Sequence, residues 1–393
     1  MKNENLKHDS AIKHVTGQSV YVNDLVFSGQ LVGRVVYSKV ASARIKSIDC
    51  AKALLVDGVS AILTYKDIPG KNQLGPVIHD EPCLAEDEVT FIGQAIVLIA
   101  AENLEAAFKA EKLIQIEFEE LESILTLQDA IAKNNLLAPP RCIECGNVEE
   151  ALKSAPHLIS GELETGAQEH WYLETQSALA VPGEGKEMLV HASSQNPAET
   201  QAIVAEVLGV AKNEIEVEVR RMGGGFGGKE TQGNHVAAWA ALLAYATRRP
   251  VNIQLFRDDD QIITGKRHRF LSNYSVGFDN KGKILAYSVE LNSDAGAATD
   301  LSRAILERAM LHAENSYFIP NVKIVGKAYK TNLPSNTAFR GFGGPQGMAV
   351  IETAIDRVAR FLKKDAAEIR RLNFYGIHER NITPYGETVR NSR

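Results

Sequence analysis

The sequence predicts an α+β fold of two domains, and three observations point to it. Its 393 residues exceed what a single hydrophobic core usually organises. Residues 1–131 alternate short strands with helices. From residue 147 to residue 393, strands come in runs and are accompanied by long apolar helices. Between them, residues 132–146 contain Asn134-Asn135, Pro139-Pro140 and Gly146, and read as a linker.

In the first domain, Val59 to Leu63 reads as a strand. Ala95 to Ala101 is a continuous apolar run, which predicts a strand buried on both faces. Leu104 to Lys112 is helical, with Asn103 placed to cap it. Leu113 to Glu119 alternates apolar and polar residues, as a half-buried strand does.

In the second domain, Ser160 to Glu164, Ser177 to Val181 and Met188 to Ser193 read as strands. Pro197 suits the first turn of a helix over Ala198 to Leu208, because its missing N–H is not needed there. Glu214 to Arg220 alternates strictly and predicts a strand, with Glu216 and Glu218 on its solvated face. An apolar helix follows over His235 to Ala246. Ser272 to Phe278 and Ile284 to Asn292 flank Asp279-Asn280-Lys281-Gly282, a hairpin signal. Asp300 to Glu314 has helical spacing. From Pro345, a long helix sets Met348, Ile351, Ile355, Val358 and Leu362 on one face. Asn381 to Arg393 shows neither period.

Composition excludes several functions. Net charge is −6 and no long basic run exists, so wholesale nucleic-acid binding is excluded, since phosphate contacts need clustered Lys and Arg. No apolar stretch is long enough to span a bilayer. Met1 to His8 is polar and lacks the apolar core of a signal peptide, so a cytoplasmic location is expected. The cysteines Cys50, Cys83, Cys142 and Cys145 are too few for a disulfide framework. Cys142-Ile143-Glu144-Cys145 is a single C-x-x-C with no second pair to complete a zinc or iron–sulfur site, and it reads as two reduced thiols in the linker. His170, His235, His268 and His312 have no metal-ligand spacing and read as hydrogen-bonding residues.

Two glycine-rich loops carry the functional signal. The first runs from Arg220 through Gly223-Gly224-Gly225-Phe226-Gly227-Gly228 to Lys229-Glu230. The second runs from Ser335 through Phe339-Arg340-Gly341-Phe342-Gly343-Gly344 to Gly347. Glycine at this density costs backbone entropy, and what it permits is close approach of main-chain N–H groups to a ligand, usually an anion. Gly223, Gly225 and Gly228 fit G-x-G-x-x-G, and Gly223 to Lys229 fits most of a P-loop. The P-loop reading fails at Glu230, where a hydroxyl would be needed for magnesium. The dinucleotide reading lacks an acidic residue closing a following strand. A tight turn between packed backbones explains either loop alone. Two such loops favour a large anionic ligand.

Longer stretches carry a family resemblance. They are Gly166 to Thr175, Ser194-Gln195-Asn196-Pro197, Gly223 to Glu230, Arg267-His268-Arg269-Phe270, Glu307-Arg308-Ala309, Thr331 to Pro334, and Ala338 to Gly347. In this order they resemble the molybdopterin-binding subunit of the xanthine dehydrogenase and aldehyde oxidase family, with similarity from Gly17 to about Asn373. The resemblance implies an α/β hammerhead domain at residues 1–131 and the first molybdopterin-binding domain at 147–393. It implies a molybdenum–molybdopterin cofactor here, with 2Fe-2S clusters and FAD on partner subunits. Gln195 resembles the glutamine that donates a hydrogen bond at the molybdenum. Phe226 and Arg340 resemble positions whose backbone faces the metal centre, with Gly225, Gly227 and Gly341 letting that backbone come close. Glu230 resembles a glutamate that hydrogen-bonds a purine. Arg308 resembles the arginine opposite it, which stabilises negative charge developing on the ring. Phe342 resembles an aromatic that packs on that ring.

The implied activity is hydroxylation of hypoxanthine or xanthine at an electron-poor ring carbon with a water-derived oxygen. In the family the carboxylate base belongs to a second molybdopterin-binding half, which this chain lacks. The expectation is therefore a truncated product, or one piece of a split subunit completed by another polypeptide, beside Fe-S and FAD subunits. The alternatives are a non-catalytic interaction subunit, a related aldehyde or N-heterocycle hydroxylase, and an ATPase using the Gly223 loop.

Overall fold

A computed structural model describes residues 8–390. The readings of Met1 to Lys7 and of the last three residues lie outside the described residues. Among the described residues the chain divides into two units. One takes the chain up to Leu121 together with Trp171–Ile263. The other takes Glu122–His170 together with the chain from Thr264 onward.

The first unit is built on a seven-stranded mixed sheet. Its order is Ile215–Glu218, Met188–Ala192, Ser177–Pro182, Val251–Gln254, Leu31–Tyr37, Ala95–Ala101, Val59–Leu63. Ile215–Glu218 runs parallel to Met188–Ala192, Leu31–Tyr37 runs parallel to Val251–Gln254, and the other pairings are antiparallel. Helices Pro197–Leu208 and Gly233–Thr247 bury the apolar faces of these strands. The second helix is apolar all round because it is buried along most of its length, from Val236 to Ala244. A three-stranded sheet of Glu88–Val89, Ala43–Asp49 and Gln115–Glu120 packs with helix Leu104–Leu113. The continuous apolar run of Ala95–Ala101 follows from this layering. Leu98 and Ala100 join one core, while Ile96 and Ile99 join the other. Asn103 caps its helix as expected, its side chain accepting from the Ala106 N–H at 2.9 Å.

The second unit holds a five-stranded sheet in the order Arg141–Cys145, Val322–Lys330, Ile284–Gly296, Phe270–Phe278, His157–Thr165. Helices Ser302–Leu311, Gly344–Leu362 and Ala366–Asn373 cover one face. Ile351, Ile355 and Val358 of the long helix are fully buried there. The hairpin after Phe278 forms where its sequence predicts, with Gly282 at φ +94° and the Asp279 N–H donating to the Lys283 carbonyl at 3.0 Å.

Two local expectations are corrected. The stretch 132–146, read as a linker, includes a strand, Arg141–Cys145, which pairs antiparallel with Val322–Lys330. It is an edge strand with little burial, so no apolar pattern marks it. Cys142 and Cys145 are three apart on this strand and therefore project to opposite faces, which denies them a common ligand. Glu218 does not sit on a free solvated face either. It pairs with Nδ1 of His191 at 2.9 Å and with Nε of Arg220 at 2.6 Å, beside the exposed Glu216.

Candidate functional site

The first unit brings Gln195, the first glycine loop and Glu230 together. Strand Met188–Ala192 ends just before Ser193, and the helix from Pro197 starts after Asn196, whose side chain accepts from the Glu199 N–H. Gln195 therefore stands between a strand end and a helix start. Its side-chain Oε1 accepts from the main-chain N–H of Gly227 at 2.8 Å and of Lys229 at 3.3 Å. Its own N–H donates to the Lys229 carbonyl at 2.8 Å. Two backbone donors fix which end of the carboxamide faces the loop. The oxygen must face them, and the NH₂ group is left turned away with its donors uncommitted among the described residues.

The glycines are there for space and for sign. A Cβ on Gly225 would lie 2.5 Å from Oε1 of Gln195. Gly224 and Gly227 sit at φ +97° and +103°. Between them Phe226 adopts φ +54° and is 51% exposed. An aromatic in the left-handed region costs about 1–2 kcal/mol. Its exposed ring forgoes burial, so Phe226 does not act as a core anchor of the loop.

Glu230 follows the loop. Its carboxylate is half-buried, and burial pushes its pKa above the ordinary value. Among the described residues no side-chain hydrogen bond or ion pair reaches it. Glu199 lies nearby, its Oε1 held by Asn234 at 2.9 Å. Its pKa is also raised, by burial first and by the Glu230 charge.

The loop is fastened from below by a network the sequence did not disclose. Lys229 is fully buried, and its ammonium donates to the Glu174 carbonyl at 2.8 Å, to the Glu174 carboxylate at 3.2 Å and to Ser193 Oγ at 2.8 Å. This orientation removes the ATPase reading. A P-loop lysine must reach outward to phosphates, whereas this one is spent inside the fold. The only sequence signal was a lysine closing the glycine run, and its neighbour in the network, Glu174, is distant in sequence.

The second unit holds Arg308, Arg340, Gly341 and Phe342. Arg308 is on the last turn of helix Ser302–Leu311, is exposed, and has no side-chain partner among the described residues. Its neighbour Glu307 pairs with Arg141 at 3.3 Å instead. The second loop packs against this same helix. A Cβ on Gly343 would strike the Ile305 carbonyl, and one on Gly347 the Ala309 carbonyl. Gly341 is at φ +98° and Phe342 at φ +47°, so this loop repeats the first one's pattern of an aromatic forced into a left-handed turn. Arg340 is exposed, and its carbonyl accepts from Nη2 of Arg267 at 2.9 Å. The Arg267 guanidinium lies 3.9 Å over the ring of Phe339, which stacks on His170 at 4.7 Å. His170 Nε2 contacts the Ala338 carbonyl at 2.7 Å, His268 Nε2 contacts Ser302 Oγ at 2.7 Å, and burial drives the pKa of His268 down to about 3. These histidines are neutral braces of the loop. Among the described residues no group of three or more His, Cys, Asp or Glu could hold a metal ion.

Chemically, each unit presents a glycine-opened backbone, an aromatic at positive φ (exposed at Phe226, half-buried at Phe342), and a polar side chain with uncommitted groups among the described residues. The first offers amide donors and a raised carboxyl, and the second offers a guanidinium.

Residues 16–122 match the a/b hammerhead domain of aldehyde oxidase and xanthine dehydrogenase, and residues 128–374 match the molybdopterin cofactor-binding domain. Xanthine dehydrogenase of Dictyostelium discoideum is 46% identical over 387 residues, covering 98% of this chain and 28% of that protein. Xanthine dehydrogenase/oxidase of Mus musculus is 45% identical over 386 residues, covering 98% of this chain and 29% of that protein. The chain thus spans less than a third of these relatives' length. Among solved structures, the aldehyde oxidoreductase of Desulfovibrio gigas superposes with a TM-score of 0.91 at 28% identity, over 97% of this chain and 44% of that one. Quinoline 2-oxidoreductase of Pseudomonas putida 86 superposes with a TM-score of 0.90 at 25% identity, over 98% of this chain and 52% of that one.

Proposed function

The chain belongs to the aldehyde oxidase and xanthine dehydrogenase family of molybdopterin-binding proteins, and on that premise we propose that it forms part of the molybdenum site of a purine hydroxylase. The residues fit such a cofactor. Gly225 leaves the Gln195 carboxamide room to lie against the loop, which holds its oxygen and turns its NH₂ donors outward. When bound, molybdopterin supplies the metal at which the ring carbon is oxidised and the water-derived oxygen delivered.

The chain's own residues do the rest. Gln195 would hold the cofactor with its outward NH₂ donors. The backbone of Phe226 and Arg340, with Gly225, Gly227 and Gly341, approaches the cofactor. Glu230 hydrogen-bonds hypoxanthine or xanthine, and its raised pKa lets the carboxyl share a proton with a ring nitrogen or carbonyl. Arg308 stabilises negative charge developing on the ring, and Phe342 packs on its face. Iron–sulfur and flavin partners take the electrons, a second molybdopterin-binding half supplies the carboxylate base, and the setting is cytoplasmic. Among the described residues no helix is long and apolar enough to cross a membrane.

The single observation that carries the purine reading is the half-buried, unpartnered Glu230 carboxylate. An aldehyde substrate would favour an apolar pocket instead. Replacing Glu230 by Gln and Arg308 by Met together in the assembled enzyme tests it. Xanthine turnover is expected to fall by about a hundredfold or more, with molybdenum retained. Undiminished turnover would overturn the assignment.

A further inference from the structure

We infer that Lys229 is a positioning residue for Gln195, and that its buried ammonium sets where the glutamine's free NH₂ points. The geometry stands by itself, and the functional consequence rests on the molybdopterin reading above.

Lys229 holds Gln195 through main chain and side chain at once. Its carbonyl accepts the Gln195 N–H at 2.8 Å, and its N–H donates to Oε1 of the same residue at 3.3 Å. Its ammonium has three N–H bonds and four acceptors within reach: the Glu174 carbonyl, the Glu174 carboxylate, Ser193 Oγ and, at 3.5 Å, the Thr175 carbonyl. Tyr172 covers it, with the ring centroid 4.7 Å away. Ser193 lies two residues before Gln195 on the same strand end. Glu174 also takes the other end of the loop. Its carboxylate accepts the Gly223 N–H at 2.7 Å and the Ser193 hydroxyl at 2.6 Å, and its N–H donates to the Gly223 carbonyl at 3.1 Å. Both ends of the loop and the root of Gln195 thus converge on one ion pair.

Stability alone does not account for this arrangement. A buried ion pair is often no more stabilising than an apolar pair of the same volume, because desolvation offsets the attraction. What the pair supplies, and an apolar pair would not, is direction. Acceptors in fixed places on Glu174, Thr175 and Ser193 confine the ammonium, and hence the register of the Lys229 backbone under Gln195.

The experiment separates direction from stability. Lys229→Met leaves Glu174 buried and unpaired, and lowers the melting temperature. Glu174→Gln combined with Lys229→Met removes both charges, and the melting temperature is expected to return close to the wild-type value. In that double variant of the 393-residue chain, amide exchange at Gly227 is expected to be about tenfold faster than in wild type. In the molybdopterin-loaded enzyme, kcat for xanthine is expected to fall about tenfold with KM unchanged, and the Mo(V) electron paramagnetic resonance signal to change shape. Wild-type Gly227 protection in a thermally recovered double variant would overturn the inference. If the double variant does not recover, Ser193→Ala, which deletes one acceptor and keeps the ion pair, is read the same way. A wild-type enzyme that took up no molybdopterin would sink the proposed function and leave the exchange result untouched.

Discussion

Gly225→Ala tests the clasp between Gln195 and the first glycine loop. Gly225 is outside the left-handed region, so alanine there brings no backbone strain. By itself the change should gain about 0.4–1 kcal/mol through the unfolded chain. The added Cβ would lie 2.5 Å from Oε1, 2.9 Å from Cδ and 3.1 Å from Cγ of Gln195. The glutamine must leave, and the N–H groups of Gly227 and Lys229 lose their acceptor. Both residues are buried. Leaving a buried N–H unsatisfied costs about 1–3 kcal/mol for each of the two, so after the gain from alanine the net loss should be about 2 kcal/mol or more. Gln195→Ala removes the same acceptor and should cost a similar amount. On that background the clash has no partner, and Gly225→Ala should cost nothing further. Calorimetric unfolding of wild type, both single variants and the double variant closes the cycle, with an expected coupling of about 2 kcal/mol. Equal costs for Gly225→Ala on both backgrounds would refute the clasp.

Other outcomes follow from the same physical reasoning. Glu314 is 1% exposed, and burial pushes its carboxyl up to about 7, above its ordinary value of 4.5. A raised folded value means this group's contribution is intact below about pH 4.5 and is lost as pH climbs through about 7, a change of about 3 kcal/mol. Glu314→Gln should flatten the fall in melting temperature between about pH 4.5 and about pH 7, and parallel curves for the two proteins would contradict it. Phe226→Gly relieves a positive φ and removes an exposed ring. Thermal unfolding should show stability unchanged or raised by up to about 1 kcal/mol, while molybdopterin retention falls. A loss of stability beyond about 1 kcal/mol would make the phenylalanine a structural anchor.

Much of the fold was legible where local pattern and burial agree. Ala95–Ala101, Pro197–Leu208, Gly233–Thr247 and the hairpin at Gly282 all form where periodicity, caps or turn residues place them. The elements that escaped are set by partners distant in sequence. Leu31–Tyr37 carries a glycine and an arginine in its middle and does not read as a central strand. Arg34 is tolerated because Glu111 and Asp259 pair with it and Phe108 and Phe256 flank it. Val251–Gln254 is too short to show a period, and Arg141–Cys145 is an edge without an apolar face. The same division holds for the candidate site. Glycine spacing disclosed the two loops, because steric need is written in residue type. The Lys229–Glu174–Ser193 fastening was hidden, because burial of a lysine depends on a carboxylate supplied from another part of the chain.

The claim on which the rest depends is that Gln195 and the Gly223–Lys229 loop face molybdenum. Anomalous diffraction at the molybdenum edge, from crystals of the molybdopterin-loaded protein, addresses it directly. A molybdenum peak is expected beside the loop, within reach of the Gln195 NH₂. A peak remote from Gln195 and from that loop would contradict it.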